Sequence, residues 1–170
     1  MGTSWVGGVA PTATDDVIIA SGATVNVTTN QTCVNLTLNG TAILNFNTNT
    51  RTLTVNGTMT MNGTSQVTGN NNNRILSLQG DFNIPSGQTG SIGGVRVSQI
   101  ATATFNLQGT FTPTDNTGTK TFGHANFYDG CLIDASVTEA IIIQGNLAVL
   151  PGAAGQHSKI GRISITVTGT

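Results

Sequence analysis

The sequence predicts an all-β chain wound as a right-handed parallel β-helix, and three observations carry that expectation. The first is composition: Val, Ile and Thr make 57 of 170 residues, while Glu occurs once and Lys twice. That is the β-branched excess of a sheet protein, without the residues that fill helices. The second is a recurring unit of alternating apolar positions followed by Asn or Gln, Gly and a small polar residue. The third is its spacing, because Gly40 to Gly63 and Gly57 to Gly80 are both 23 residues, a length suited to one solenoid coil.

The unit reads Leu36-Thr37-Leu38-Asn39-Gly40-Thr41, then Leu53-Thr54-Val55-Asn56-Gly57-Thr58 and Met59-Thr60-Met61-Asn62-Gly63-Thr64. It returns at Leu76–Asp81, Phe105–Thr110, Ile141–Asn146 and Ile165–Thr170. Alternation sends every second side chain inward, since strand side chains repeat every two residues. The Asn-Gly or Gln-Gly pair then turns the chain, Gly taking positive φ without a Cβ clash. A single coil buries little, whereas stacked coils share one core. Roughly seven coils at about 4.8 Å each give a stack on the order of 30 Å tall. Phe46, Phe105 and Phe111 fall on inward positions.

Residues 1–170 are expected to form one domain, with 1–27 as an atypical N-terminal cap and 28–170 as stacked coils. The cap carries Trp5, the one tryptophan, and Pro11, and Trp5 is expected to lie as a lid over the open core. Longer glycine steps after Gly80 and Gly109 predict loops inserted near 85–100 and 112–130. A β-sandwich is the alternative, because it also uses short alternating strands.

The string Trp5-Val6-Gly7-Gly8 … Pro11 … Asp15-Asp16-Val17-Ile18-Ile19 … Gly22, followed by the Asn-Gly-Thr units, resembles the start of exported β-helical surface proteins of Bacteroidetes-type bacteria. It is also similar to an eight-glycine all-β domain of extracellular proteins. Gly109-Thr110-Phe111-Thr112-Pro113, Phe127–Ile133 and Ile141–Val149 fit the same proteins. The resemblance implies a β-solenoid, export, and a segment of a longer adhesin or surface-layer protein. The end at Thr170, inside a repeat unit, is expected for a chain cut there or continued by stacking.

A net charge of −1 gives no electrostatic footprint for nucleic acid or an anionic membrane. No apolar run approaches the roughly 18 residues that span a bilayer, and Met1–Trp5 has no signal-peptide pattern. Low charge with abundant Asn and Thr suits a secreted or cell-surface protein. Cys33 and Cys131 have no metal spacing. They fall about four coils apart, too far for a disulfide at about 4.8 Å per coil, so two free thiols are expected.

Many parallel β-helices act on polysaccharides, and that chemistry needs paired carboxylates or a base beside a metal-binding cluster. Asp15 and Asp16 precede a strand, where an Asp bonds its own turn. The densest polar cluster is His124, Tyr128, Asp129 and Asp134, preceded by Lys120. It is read as a solvated insertion loop, with glycan binding or a Ca²⁺ or catalytic site as the alternative. Phe127-Tyr128 is the candidate sugar-stacking platform, and His157 sits in a turn. Thr-x-Thr runs such as Thr110/Thr112/Thr114 raise ice binding, which needs the same pair in every coil, and none keeps a 23-residue register. Asn70–Asn73 reads as a loop or the start of an amide ladder.

The resulting reading is a non-enzymatic structural or adhesive segment, a rigid stalk or self-assembling solenoid, without cofactor or metal. Its partners are other copies of itself, and surface glycans in the alternative reading. The last strand, with Ile163, Ile165 and Val167, is alternating, uncharged and free of proline, so strand addition there is the expected route to end-to-end assembly. A carbohydrate-binding or polysaccharide-degrading module is the first alternative and a Thr-rich ice-binding solenoid the second.

Overall fold

A computed structural model describes residues 9–47, 50–70, 73–114, 118–134, 139–150, 159–160 and 163–169, with the side chains of Glu139, Lys159, Ile160 and Ile163 outside that description. The described strands form three parallel sheets, each seven strands deep. The first sheet stacks Val17–Ile19, Leu36–Leu38, Met59–Met61, Phe82–Ile84, Thr104–Leu107, His124–Tyr128 and Leu147–Leu150. The second begins at Thr24–Asn26 and ends at Lys159–Ile160. The third begins at Gln31–Cys33 and ends at Ile163–Val167. The chain visits first, second and third sheet in turn, then climbs one rung. This is a β-solenoid, and it fits the right-handed parallel β-helix that crossover chirality favours.

Alternation does what the sequence predicts. Leu36 and Leu38 are buried while Thr37 is half-exposed, and Met59, Thr60 and Met61 repeat that pattern one coil on. Corner glycines stack directly upon one another. Gly63 takes φ +68°, and a Cβ there would lie 2.4 Å from Gly40 Cα. No larger residue fits between those two coils.

Among the described residues, the two stretches expected as inserted loops are built of ordinary strands. Residues 85–100 hold Thr89–Ile92 and Arg96–Gln99, which pair in register within the second and third sheets. Within 112–130, Lys120–Phe122 and His124–Tyr128 are likewise ordinary rungs. The long glycine steps have a different origin. Gly40, Gly63 and Gly109 follow strands of the first sheet, whereas Gly57, Gly80 and Gly145 follow strands of the third. Successive glycines are therefore not successive coils.

The core runs the length of the stack. Phe82, Phe105 and Phe122 lie face to face, with centroids 5.0 Å apart for the first pair and 4.4 Å for Phe105 and Phe122. Phe111 meets Phe105 edge-on at 5.4 Å. Phe46 is fully buried too. At the N-terminal mouth the packing is looser, and a cavity of about 240 Å³ is lined by Pro11, Val17, Ile19, Val25, Leu36 and Leu44 among others. Pro11 of the expected cap thus lines this cavity, while Trp5 lies outside the described residues.

Among the described residues, two charged side chains enter this interior. Lys120 takes an inward position of the third sheet, between Val97 and Ile141, and its ammonium donates to the Gly118 carbonyl at 2.6 Å. It is part of the core and not of a solvated loop. Arg74 is buried as well and donates to the Asn70 side chain.

Candidate functional site

The outer face of the first sheet holds His124 and Tyr128, two of the residues that sequence reasoning nominated. At the corner entering this sheet, register places Asp16, Asn35, Thr58, Asp81, Thr104, His124 and Asn146 in one column. The side-chain acceptors of this column do one job. Asp16 Oδ1 accepts the Asn35 N–H at 3.2 Å and its Nδ2 at 2.8 Å. Asn35 Oδ1 accepts the Thr58 N–H at 2.7 Å, and Asp81 Oδ1 the Thr104 N–H at 2.8 Å. His124 Nδ1 accepts the Asn146 N–H at 3.0 Å. Each satisfies a backbone donor of the next coil, where the chain turns and the sheet ladder is interrupted.

His124 is thus the histidine member of a structural column, its ring lying against Gly145, where a Cβ would meet Nδ1 at 2.5 Å. Tyr128 ends the same strand, four residues and roughly 13 Å further along. Asp129 follows in the turn, its N–H donating to the Leu150 carbonyl at 3.1 Å. Asp134 lies past the strand Leu132–Ile133 of the second sheet, exposed, its N–H donating to Phe111 C=O at 2.9 Å. The four nominated residues are spread along one strand and round a corner. Among the described residues no three His, Cys, Asp or Glu side chains gather to hold a metal ion.

The sugar platform is also changed. Phe127 is 1% exposed and packs inward on the Ala125 side of its strand, edge-on to Phe105 at 6.1 Å. Tyr128, half-exposed, is left as the aromatic group on that outer face. Beside it runs an amide ladder: Asn106 Nδ2 donates to Asn83 Oδ1 at 3.0 Å, and Asn126 Nδ2 to Asn106 Oδ1 at 3.1 Å. A second ladder joins Asn62 Nδ2 to Asn39 Oδ1 at 2.9 Å, and a third joins Asn45 Nδ2 to Asn26 Oδ1 at 2.9 Å. Asn70, at the start of the Asn run, instead accepts from Arg74.

Asp15 bonds its own turn. Its Oδ2 accepts the Thr12 N–H at 2.7 Å and the Thr12 hydroxyl at 2.8 Å, and the backbone bond holds the carboxyl below its ordinary pKa. Cys33 and Cys131 are buried and are not joined in a disulfide. Burial first, and the nearby Asp16 charge second, push the Cys33 thiol up to about 11.

Variable coil lengths hid two hydroxyl columns from the sequence. Paired residues are separated by 19 positions from Val17 to Leu36, 23 from Leu36 to Met59, and 27 from Leu132 to Lys159. On the third sheet the register lines up Thr32, Thr54, Ser77, Ser98 and Thr121. At the second sheet, bonds from Thr64 N–H to Gly40 C=O and from Thr89 N–H to Gly63 C=O align Thr41, Thr64, Thr89 and Thr110. Gln99 was not singled out by the sequence either. It is 2% exposed and ties three rungs, donating to Gly80 and Thr104 carbonyls and accepting the Gly123 N–H. A polar residue at an inward-alternating position was the signal.

No family model matches this chain, and no curated protein or solved structure matches it.

Proposed function

We propose that this chain is a non-enzymatic structural segment of a secreted or cell-surface bacterial protein, a rigid β-solenoid stalk able to stack end to end on further coils. The observation that carries the reading is the acceptor column at the first-sheet corner. Asp16, Asp81 and His124, residue types that acid–base chemistry on glycans would need, hold their lone pairs against backbone N–H groups of the neighbouring coil. A side chain fixed in that way ties one coil to the next, which is a structural task. Resemblance to exported surface proteins supports the location. The exposed Val167 on the final strand, whose partner in the third sheet is Glu139–Ile143, supports end-to-end pairing.

The test is a panel of surface and plant polysaccharides, assayed for retention and for cleavage, with the native chain and with His124→Ala, Asp129→Ala and Asp134→Ala combined. The structural reading expects neither retention nor turnover from either protein. Retention or cleavage by the native chain, lost in a triple variant that is still folded, contradicts it. Ice binding is a second reading, favoured by the Thr41–Thr64–Thr89–Thr110 column, and thermal hysteresis abolished by Thr89→Tyr is its signature.

A further inference from the structure

Three Asn-Gly bonds turn this chain, at Asn39-Gly40, Asn56-Gly57 and Asn62-Gly63. Such bonds share one reaction. The backbone nitrogen of the glycine, unshielded by a Cβ, attacks the Asn side-chain carbonyl carbon. A bond forms between that nitrogen and Cγ, the Cγ–Nδ2 bond breaks, and ammonia leaves with the proton the backbone nitrogen gives up. Water then opens the cyclic imide at one of its two carbonyls, leaving aspartate or isoaspartate.

The fold treats the three bonds differently. The Gly57 N–H donates to the Val34 carbonyl of the previous coil at 2.7 Å. The Gly63 N–H donates to Gln88 Oε1 at 2.5 Å. Both nitrogens are held in bonds that must break before attack. The Gly40 N–H donates to no acceptor among the described residues. Its acylating partner is also prepared, because Asn62 Nδ2 donates at 2.9 Å to Asn39 Oδ1, the oxygen that gains negative charge as nitrogen adds. The glycine itself is fixed by packing, since a Cβ at Gly40 would overlap the Ser21 side chain. Tight coil stacking and the reactive dipeptide thus come together.

We propose that Asn39 is a self-modification site of the folded solenoid, converting to aspartate and isoaspartate with Asn62 as the positioning donor, while Asn56 and Asn62 are protected. Isoaspartate inserts an extra backbone atom at the corner where the Asn39 N–H bonds the Ile19 carbonyl at 3.0 Å, so conversion loosens the first coils.

The experiment is peptide mass spectrometry on the full chain, incubated at mildly alkaline pH both folded and in denaturant. Folded protein is expected to accumulate product at Asn39 and little at Asn56 or Asn62, with the distinction lost in denaturant. Asn62→Ala is expected to slow Asn39 about fivefold, the rate equivalent of the roughly 1 kcal/mol a neutral hydrogen bond contributes. Gln88→Ala is expected to switch on conversion at Asn62. Comparable rates at all three sites in folded protein overturn the proposal. So does an Asn62→Ala variant in which Asn39 reacts as fast or faster, with Asn56 still protected to show that the fold persists.

Discussion

The coils between Phe82 and Phe127 and those between Val17 and Phe46 meet the same packing demand with different material. In the middle, five phenylalanines from three successive coils fill the tube, all at most 1% exposed. Near the N-terminal mouth the lining is aliphatic, Val17 is 8% exposed, and a cavity of about 240 Å³ remains. Each coil of a solenoid touches its neighbours alone, so stability is close to a sum of local terms. The aromatic segment therefore anchors the stack, and the first coils open before it does.

Breaking the anchor gives the largest effect. Phe105→Ala removes a ring stacked on both Phe82 and Phe122, and is expected to cost roughly 3–5 kcal/mol in urea unfolding. The matching change at the mouth, Val17→Ala, is expected to cost about 1 kcal/mol, since its site is already loosely packed. Equal losses at the two sites would erase the contrast.

A pair of glycines sharpens the stacking argument. Gly63 and Gly87 have nearly the same backbone, φ +68° and +73°, but an added Cβ meets Gly40 at the first and nothing within 4 Å at the second. Gly87→Ala carries conformational strain alone, about 1–2 kcal/mol. Gly63→Ala adds the collision, for roughly 2–4 kcal/mol in total. Thermal unfolding of the two variants measures the difference.

A further expected effect is a pH dependence that arises in the first coils. The unfolded Cys33 thiol ionises near 9.0 and the folded one at about 11. Over that window the unfolded chain binds fewer protons, so stability falls as pH rises from about 9 to 11 and is flat for this group below it. Cys33→Ala should remove that slope. A slope of the same size in the Ala variant would assign it elsewhere.

Much of the fold was legible because alternation and the Asn-Gly corners are local signals. Leu36, Leu38, Met59 and Met61 announce an inward face, and their 23-residue spacing announces a coil. The lost information was register. One motif serves two sheets, so Gly80 to Gly109 looked like an insertion when it joins a third-sheet corner to a first-sheet corner. Coils of unequal length likewise concealed the Thr41–Thr110 column and the shared position of Asp16, Asp81 and His124. Phe127 was misjudged although strict alternation from Ala125 already turned it inward. Lys120 had a single local signal, its two-residue spacing from Phe122, and a lysine among threonines reads as a solvent-facing residue until the third sheet's register places it between Val97 and Ile141.

His124 decides whether that corner column is scaffold or chemistry. The sharpest measurement is a set of three unfolding curves, for the native chain, His124→Ala and His124→Asn, with amide exchange followed at Asn146. Asparagine already caps the next coil at position 35. His124→Asn should therefore keep native stability and a protected Asn146 N–H, while His124→Ala should lose about 1 kcal/mol and expose that amide. Two variants with equal losses, or an Asn146 amide indifferent to both, would contradict the assignment of His124 to the scaffold.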